Sequence, residues 1–313
     1  MMPTSSGRAG PARRWPKVGC LVAAVAIGVL VVGGGIITGV AFRQIRSEAP
    51  ETRQLVRELP AAAAIVADET VPEVIRAPGR VEVNISIAQL LVVPAAVGEP
   101  IRVEANYDPR YYELDQDSED HPGGGWTYRL RFAPAHSRSM ALFRIKLGGA
   151  PPRIRIALPL DVPLVLTGEV HGAFAAMELG GLRIEALEMT VSGGAASVSF
   201  QEPLGAPMDR LSLIGNKGSI EVTGLGNASP RTALLEQRFG ELDLDLRGAW
   251  LRDAEIQIDA EIAGGSLWLP DDVVVEGLEG RFDRPGPVSA GELPTPRLRL
   301  AVTGRSGRLV VVD

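Results

Sequence analysis

Apolar and polar residues alternate in short runs along most of the chain after residue 79, and one form of run recurs at regular intervals. Each run has the pattern small–x–apolar–x–apolar, as in Gly218-Ser-Ile220-Glu-Val222. Alternation of this kind is typical of a strand with one buried face. Successive runs start 21, 22, 22 and 25 residues apart. Their starting residues are Ala175, Ala196, Gly218, Gly240 and Gly265.

A second, leading strand lies between successive runs, as Leu187-Glu-Met189-Thr-Val191 precedes the run at Ala196. A period of about 20–25 residues with short strands in every unit predicts coils that stack on one another. The apolar positions would point inward and lie over those of the next coil, ~4.8 Å away. The small residue permits a corner where a Cβ would be crowded. We therefore predict an all-β fold, a single-chain β-solenoid with coils of about 22 residues over 161–313.

Residues 79–160 alternate less regularly, and they predict an irregular β region that continues into the repeats. An acid-rich stretch at 115–120 interrupts the region and is predicted to be a polar loop. The predicted strands of this region are Gly79–Ile85, Ile101–Ala105, Trp126–Phe132 and Phe143–Leu147.

The end of the chain repeats the unit once more, in Leu298–Val302 followed by Gly307–Val311. The second of these runs starts 42 residues after Gly265, which is about two periods. The Pro- and Gly-rich residues 283–296 before it predict a loop that leaves the stack.

One uncharged, apolar run of 25 residues, Val18–Phe42, lies near the N-terminus. About 20 apolar residues are enough to cross a bilayer as a helix, so the run predicts one transmembrane α-helix. A cleaved signal peptide is the alternative, but its apolar region is usually only ~7–15 residues long. Four Lys or Arg residues flank each side of the run, so the predicted orientation rests on the short, acid-free segment 1–17.

These features predict a membrane protein in five parts. A basic cytoplasmic tail spans 1–17, and the transmembrane helix spans 18–42. A stalk rich in Ala and Pro spans 43–78 and holds the β region 79–160 and the repeats 161–313 outside the membrane.

Composition adds two exclusions. The first 17 residues carry a charge of +4 and the whole chain carries −6, so residues 18–313 carry −10. An acidic body of this kind makes a nucleic acid an unsuitable partner, because phosphate binding needs clustered Lys and Arg. The single cysteine, Cys20, excludes an intramolecular disulfide.

Carboxylates at the outward position of successive runs raise the alternative of a carbohydrate-active β-helix enzyme. Glycoside hydrolysis uses two carboxyl groups about 5–10 Å apart, which adjacent coils could supply. Such a pair needs a cleft and aromatic neighbours, and the sequence offers Trp268 alone nearby. We predict a solvated acidic face, with no catalytic residue, no cofactor-binding residue and no enzyme activity. The outward residues concerned are Glu178, Ser199, Glu221, Asp243 and Trp268, together with Glu241 and Asp245.

The sequence contains no complete metal or phosphate motif. The stretch 115–120 lacks the Gly and Glu positions of an EF-hand, and a cation site of another kind there is left open. The three histidines have neither the spacing nor the cysteine partners of a zinc site. The segment Gly215–Ser219 lacks the Lys-Ser/Thr ending of a P-loop. We predict no metal site and no cofactor; the histidines concerned are His121, His136 and His171.

Several stretches of the repeats resemble the bacterial "toastrack" or "putative adhesin" domains, over roughly residues 150–280. They are Leu158–Pro163, the Gly- and Ala-rich run 172–182, Gly218–Gly226 and Gly265–Pro270. The resemblance implies a non-enzymatic β-solenoid of the cell envelope, often placed behind a transmembrane helix. Some such domains belong to envelope-stress systems. This sequence lacks the multi-helix membrane module of those relatives, and the resemblance supplies no catalytic residues.

These observations together predict a membrane-anchored, extracytoplasmic β-solenoid of the bacterial envelope with a binding or scaffolding role. Its partners would be the membrane, through Val18–Phe42, and envelope proteins or glycans, with no nucleic acid. An envelope-stress-sensing regulator and a carbohydrate-active enzyme are the two alternatives.

Overall fold

The computed structural model describes residues 77–109, 111–122, 124–135, 151–277, 295–304 and 308–312. Within these residues the fold is all-β, as predicted, with one short 3₁₀ turn at Leu225–Asn227. The first nine strands are β1 Gly79–Ser86, β2 Gln89–Pro94, β3 Arg102–Asn106, β4 Tyr112–His121, β5 Gly125–Pro134, β6 Arg153–Leu158, β7 Pro163–His171, β8 Phe174–Glu178 and β9 Arg183–Ser192. The others are β10 Ala195–Ser199, β11 Arg210–Asn216, β12 Gly218–Thr223, β13 Thr232–Gln237, β14 Gly240–Asp245, β15 Ala254–Ala260, β16 Ala263–Trp268, β17 Val274–Gly277, β18 Arg297–Thr303 and β19 Arg308–Val312.

The strands form two large, mostly parallel sheets. Sheet 1 has ten strands in the order β17-β18-β15-β13-β11-β9-β7-β1-β5-β4. Sheet 2 has nine, in the order β19-β16-β14-β12-β10-β8-β2-β6-β3. From β5 to β16 the chain alternates between the sheets, and from β7 onward each strand pairs in parallel with the equivalent strand of the next unit.

The two strand types found in the sequence lie in different sheets. The leading strands are β7, β9, β11 and β15 of sheet 1, whereas the small–x–apolar runs fall in β8, β10, β12, β14 and β16 of sheet 2. Side chains alternate between a buried and an outer position along both types, as in the pattern of β15. The inner positions stack from strand to strand: Leu213, Leu235 and Ile258 are each fully buried and aligned in register. Each such side chain contributes roughly 1.5–3 kcal/mol of burial free energy.

The small residues that align at the corner before sheet 2 are not the ones that the sequence repeat indicated. The aligned column is Ala173, Gly194, Gly218 and Gly240, in which each residue approaches the backbone of the one before. A Cβ on Gly218 would lie 1.9 Å from the carbonyl oxygen of Gly194. The predicted starts at Ala175, Ala196 and Gly265 were therefore two residues too late. A shift of two preserves which side chains face outward but changes which of them are neighbours.

The N-terminal strands are stacked out of sequence order. Strand β1 lies between β5 and β7, and β2 lies between β6 and β8, so the unit β5–β6 is outside the unit β1–β2. Strands β3 and β4 then end the two sheets, each paired antiparallel with its neighbour. The run at Gly79, which has the repeat form, belongs to sheet 1 and not to sheet 2.

Strand β4 corrects the loop predicted at 115–120. These residues pair with β5 over the whole of the stretch, from Asp115 opposite Arg131 to Asp120 opposite Trp126. Acidic residues are weak strand formers by themselves, but here their outward carboxylates face the arginines of β5, and cross-strand charge pairs stabilise a sheet.

The C-terminal strands are closer to the repeats than the spacing predicted. Strand β18 pairs directly with β15, and β19 pairs directly with β16, so the last unit follows without a gap of one coil. The residues between β16 and β18 include a further strand, β17, which pairs with the other edge of β18 and so ends sheet 1.

Buried polar side chains join neighbouring coils at the corners. Gln237 is 1% exposed, and its Nε2 donates to the carbonyl oxygens of Gly218 (2.9 Å) and Phe239 (2.8 Å). Asn227 donates to the carbonyl oxygen of Phe200 (2.7 Å) and accepts from the backbone N–H of Ala249 (3.0 Å). Each side chain thus satisfies backbone groups that a tight turn would leave unpaired.

No helix among the described residues has the length and apolar character needed to cross a membrane. The span predicted at Val18–Phe42 lies outside the described residues, as do the tail 1–17, nearly all of the stalk 43–78, the strand predicted at Phe143–Leu147 and most of the loop 283–296.

Candidate functional site

The outer face of sheet 1 carries a shallow groove of about 680 Å³ across the strands from β9 to β17. One row of aligned outward residues supplies its half-buried floor, including Ser212, Leu234 and Ala301. The neighbouring row supplies an exposed rim that includes Arg210 and Arg299. None of the described residues that line this groove is aromatic.

Charges of opposite sign lie next to one another at the edges of the groove. Arg210 and Glu188 form an ion pair at 3.2 Å between Nη1 and Oε1. Arg299 lies between Glu276, with Nε to Oε2 at 3.7 Å, and Glu255, with Nη1 to Oε1 at 3.8 Å. These side chains are 43–71% exposed, so each pair stabilises the fold by less than about 1 kcal/mol.

A second groove of about 540 Å³ continues along the same face towards β5. It shares Glu188 and Ser212 with the first groove. Together they form one trough along sheet 1 from β5 to β17, which is eight strand intervals, or about 38 Å at the spacing of a sheet. Gly168 lies among the lining residues of this second groove and has to be glycine, because a Cβ there would lie 2.1 Å from the carbonyl oxygen of Val83.

The trough ends at a cluster of charges around Arg129. Its guanidinium contacts Glu82 at 3.2 Å, Asp117 at 3.3 Å and Glu119 at 3.1 Å, on the two strands beside β5. A hydrogen bond to Glu119 is the main reason that the pKa of Arg129 is raised. The acidic stretch 115–120 therefore has an internal cation as its partner.

An acidic surface lies on the opposite side of the coils, on the outer face of sheet 2. It consists of Glu221, Glu241, Asp243 and Asp245 on β12 and β14. Glu221 and Asp243 are direct neighbours in register. Partial burial raises the pKa of Glu241, and the charges of Asp243 and Glu221 raise it further.

Two of these four carboxylates make defined structural contacts. Asp243 Oδ1 accepts the backbone N–H of Ser266 at 2.9 Å, where β16 is irregular. Partial burial opposes ionisation of Asp245, but hydrogen bonds from the Arg247 side chain (2.8 Å) and backbone, with its charge, outweigh this and lower the pKa of Asp245. Asp243 thus holds the neighbouring strand β16, and Asp245 holds the segment that follows β14.

The structure brings together only part of the predicted outward column. Glu178 and Ser199 are neighbours in one row, and Glu221 and Asp243 are neighbours in another. Trp268 lies opposite Asp245 and not opposite Asp243, because the repeat was read two residues late in this coil. Both grooves lie on sheet 1, whereas these carboxylates lie on sheet 2. The absence of enzyme activity stays a prediction.

A basic and apolar area at the other end of sheet 2 was missed by the sequence reasoning. Arg153 and Arg155 of β6 point outward, beside Gln89 and Leu91 of β2. Phe174 of β8 follows in the same row as Arg153 and is 41% exposed. The alternating run at Arg153 is visible in the sequence. The order in which the strands stack, which places this run beside β2, is not.

The described histidines have ordinary polar neighbours. His121 Nε2 lies 2.8 Å from the hydroxyl of Thr127, and His171 Nε2 lies 3.0 Å from the carboxylate of Glu169. Over the ranges that the structure describes, no three His, Cys, Asp or Glu side chains are placed to hold a metal ion. His136 lies outside those ranges.

Comparison with known proteins gives a weak structural similarity. No family matches the chain, and no curated protein matches it. A solved structure from Clostridium sporogenes, named a "putative cell adhesion protein", is similar with a TM-score of 0.43 and 8% identity. The similarity covers 83% of this chain and 99% of the other. The resemblance to toastrack domains seen in the sequence thus stays a prediction.

Proposed function

We propose that the chain is a membrane-anchored, extracytoplasmic β-solenoid of the bacterial envelope that binds a partner and has no catalytic role. The trough on the outer face of sheet 1 is the observation that carries this proposal. Concave surfaces with a partly apolar floor and a few convergent polar groups are the usual form of a binding site. The anchor is the apolar run Val18–Phe42 of the sequence.

The partner that best fits the trough is an extended polypeptide segment of another envelope protein. Charges of both signs line the groove, at Glu188, Arg210, Glu255 and Arg299, and they suit a segment that also carries both signs. About 38 Å of trough accommodates roughly 11 residues of extended chain. A glycan is the weaker alternative, because no aromatic ring, on which a sugar ring could stack, is among the described residues that line the trough.

A substitution in the floor tests this site. Leu234→Arg would fill the groove with a long cation, while the buried face of β13 is unchanged. Asn216→Arg is the matched control, since it adds the same charge at an exposed position of the same face, outside both grooves. The full-length chain, isolated after mild cross-linking in the cells that produce it, should lose its cross-linked partner in Leu234→Arg and keep it in Asn216→Arg. Equal retention in both variants would contradict the site.

The envelope location has a separate test. Protease added to intact cells should digest the β region and leave the N-terminal tail, because the body is proposed to lie outside the membrane. A tag placed after residue 313 reports the body, and a tag before residue 1 reports the tail. Protection of the C-terminal tag in intact cells, with digestion after lysis, would reverse the proposed orientation.

A further inference from the structure

Charge is segregated by sign along the outer face of sheet 2. Arg153 and Arg155 lie on β6, near one end, and Glu241 and Asp243 lie on β14, five strands further along. The strands between them carry small residues near the middle, with Ala195 on β10 as an example. The face therefore carries its arginines near β6, beside Glu104 of β3, has Glu178 of β8 as a carboxylate in the middle, and has a group of carboxylates on β12 and β14.

The strand register places these residues in two straight rows. The first row runs Arg153, Gln89, Phe174, Ala195, Ser219, Glu241 from β6 to β14. The second row runs Arg155, Leu91, Ala176, Ser197, Glu221, Asp243 across the same six strands. Each row thus begins with an arginine and ends with a carboxylate.

We propose that two copies of the chain pack face to face through sheet 2, around a two-fold axis that is parallel to the strands and passes between β8 and β10. Such an axis reverses the order of the strands and keeps their direction, so each row of one copy faces the same row of the other. The basic end of each copy then lies on the acidic end of its partner. The arrangement closes on itself as a dimer, because the same patch serves both copies.

The arrangement is complementary in charge at its two ends, while between them Leu91 faces the second copy's Glu221. Arg153 faces the second copy's Glu241, where it neutralises a carboxylate that is repelled by its neighbours within the monomer. Arg155, which also lies 3.7 Å from Glu104 of its own chain, faces the second copy's Asp243. In the centre, the exposed ring of Phe174 faces the small side chain of Ala195. Small central residues permit two sheets to approach to about 10 Å, the normal distance between packed sheets.

The contact is small, so the dimer should be weak and sensitive to salt. Six strands with about five residues each give roughly 900 Å² of total buried surface, below the range of stable complexes. Attraction between opposite charges at an exposed rim falls as ionic strength rises. Anchoring both copies in one membrane would raise their effective concentration and favour the dimer.

Cysteine cross-linking of the full-length chain in detergent tests the dimer. Cys20, the one native cysteine, is first changed by Cys20→Ala. Ser197→Cys then places a thiol beside the proposed axis, and Ser212→Cys places one in an equally half-buried, outward position of sheet 1. A short bismaleimide should give at least about tenfold more covalent dimer with Ser197→Cys than with Ser212→Cys, at low salt. Equal yields from both thiols, or none from Ser197→Cys, would overturn the proposal.

Reversing the charges of Arg153 and Glu241 in the Ser197→Cys variant distinguishes this dimer contact from any other. Arg153→Glu alone and Glu241→Lys alone each put like charges opposite one another twice, so each should lower the dimer yield at least about tenfold. Mixing the two variants restores both opposite-charge pairs in the mixed dimer, and the double variant restores them in its own dimer. We expect cross-linking to return in both cases. If neither mixture nor double variant recovers the yield while the fold is intact, the face-to-face dimer is wrong.

Discussion

The outer faces of the two sheets use similar charged residues in opposite ways. On sheet 1, arginines and carboxylates lie on adjacent strands and pair within the molecule, as Arg210 does with Glu188 and Arg129 with Glu82. On sheet 2, carboxylates lie beside carboxylates, as Glu221 lies beside Asp243. The first face pairs its charges with neighbours, whereas the second combines a few ion pairs, such as Arg155 with Glu104, with a group of adjacent carboxylates on β12 and β14.

The comparison teaches that alternation along a strand and adjacency between strands are separate properties. Alternation decides only that Glu188 and Glu221 point outward. Which charges they meet depends on the strand beside them and on its register. The same sequence pattern therefore produces a self-neutralised face and a segregated one.

The largest expected effect comes from the corner column that starts the strands of sheet 2. Gly218→Ala should destabilise the protein by about 3 kcal/mol, because its Cβ would meet a backbone carbonyl that cannot move alone. Gly264→Ala is the control, since no atom lies within 4 Å of the position that a Cβ would take there, and it should change stability by less than about 0.5 kcal/mol. Urea denaturation measures both; similar losses would show that the column does not set the packing of sheet 2.

Asp245 provides the next effect, on the acidic surface itself. Its pKa is lowered in the folded state, so its ionised form stabilises the fold above the unfolded-state pKa, and that stability is lost as the pH falls through the folded-state pKa. Asp245→Asn should thus lose up to about 1 kcal/mol at pH 7, an upper limit because Arg247 is exposed and screened. The difference from the wild type should vanish well below about pH 4. A constant difference down to acidic pH would contradict the role of the ionised pair.

Glu241 should respond with the opposite sign on the same strand. Its pKa is raised by partial burial and by two like charges, so its ionised form is unfavourable to the fold at pH 7 and the penalty is relieved as the pH falls. Glu241→Gln should stabilise the monomer at neutral pH by less than about 0.5 kcal/mol, after allowance for solvent screening. Thermal melts of both variants from pH 4 to pH 8 compare the signs. Destabilisation by Glu241→Gln at pH 7 would show that the acidic surface is not repulsive.

The smallest expected effect is on sheet 1. A double-mutant cycle of Glu188→Gln and Arg210→Gln should give a coupling energy of about 0.3 kcal/mol, because both side chains are exposed. High salt should remove most of it. A coupling above about 1 kcal/mol would show that local pairing on sheet 1 does more for stability than we infer.

Much of the fold could be predicted from the periodic pattern. Residues such as Leu187 and Ile220 were assigned to strands with the correct buried face, since alternation records burial directly. The corner residues were harder, because Gly194-Ala-Ala196 and Ala173-Phe-Ala175 each contain two small residues that fit the pattern. The error of two residues did not change which side chains were predicted to face outward. It did change their predicted neighbours, since Ser199 was expected beside Glu221 and lies in a different row.

The stacking order could not be read from the sequence. Sequential units usually lie side by side, so the insertion of β1–β2 between two later units had no local signal. Strand β4 was missed because its acidic residues are poor strand formers until the arginines of β5 are beside them. The basic end of sheet 2 and the trough on sheet 1 depend on that order, and neither could be found before it was known.

The inserted position of β1 has a consequence for how the chain folds. Units from β7 onward can be added one after another, because each needs only the unit made just before it. Strand β1 cannot be completed in this way. Val81 pairs with Tyr128 on one side and with Leu166 on the other, so both edges of β1 stay unpaired until these distant segments have been placed. Closing such long loops is slow compared with adding a neighbouring coil. Strand β1 is therefore among the last parts of the β region to be completed, and its unpaired edges are exposed to aggregation or to a chaperone during folding.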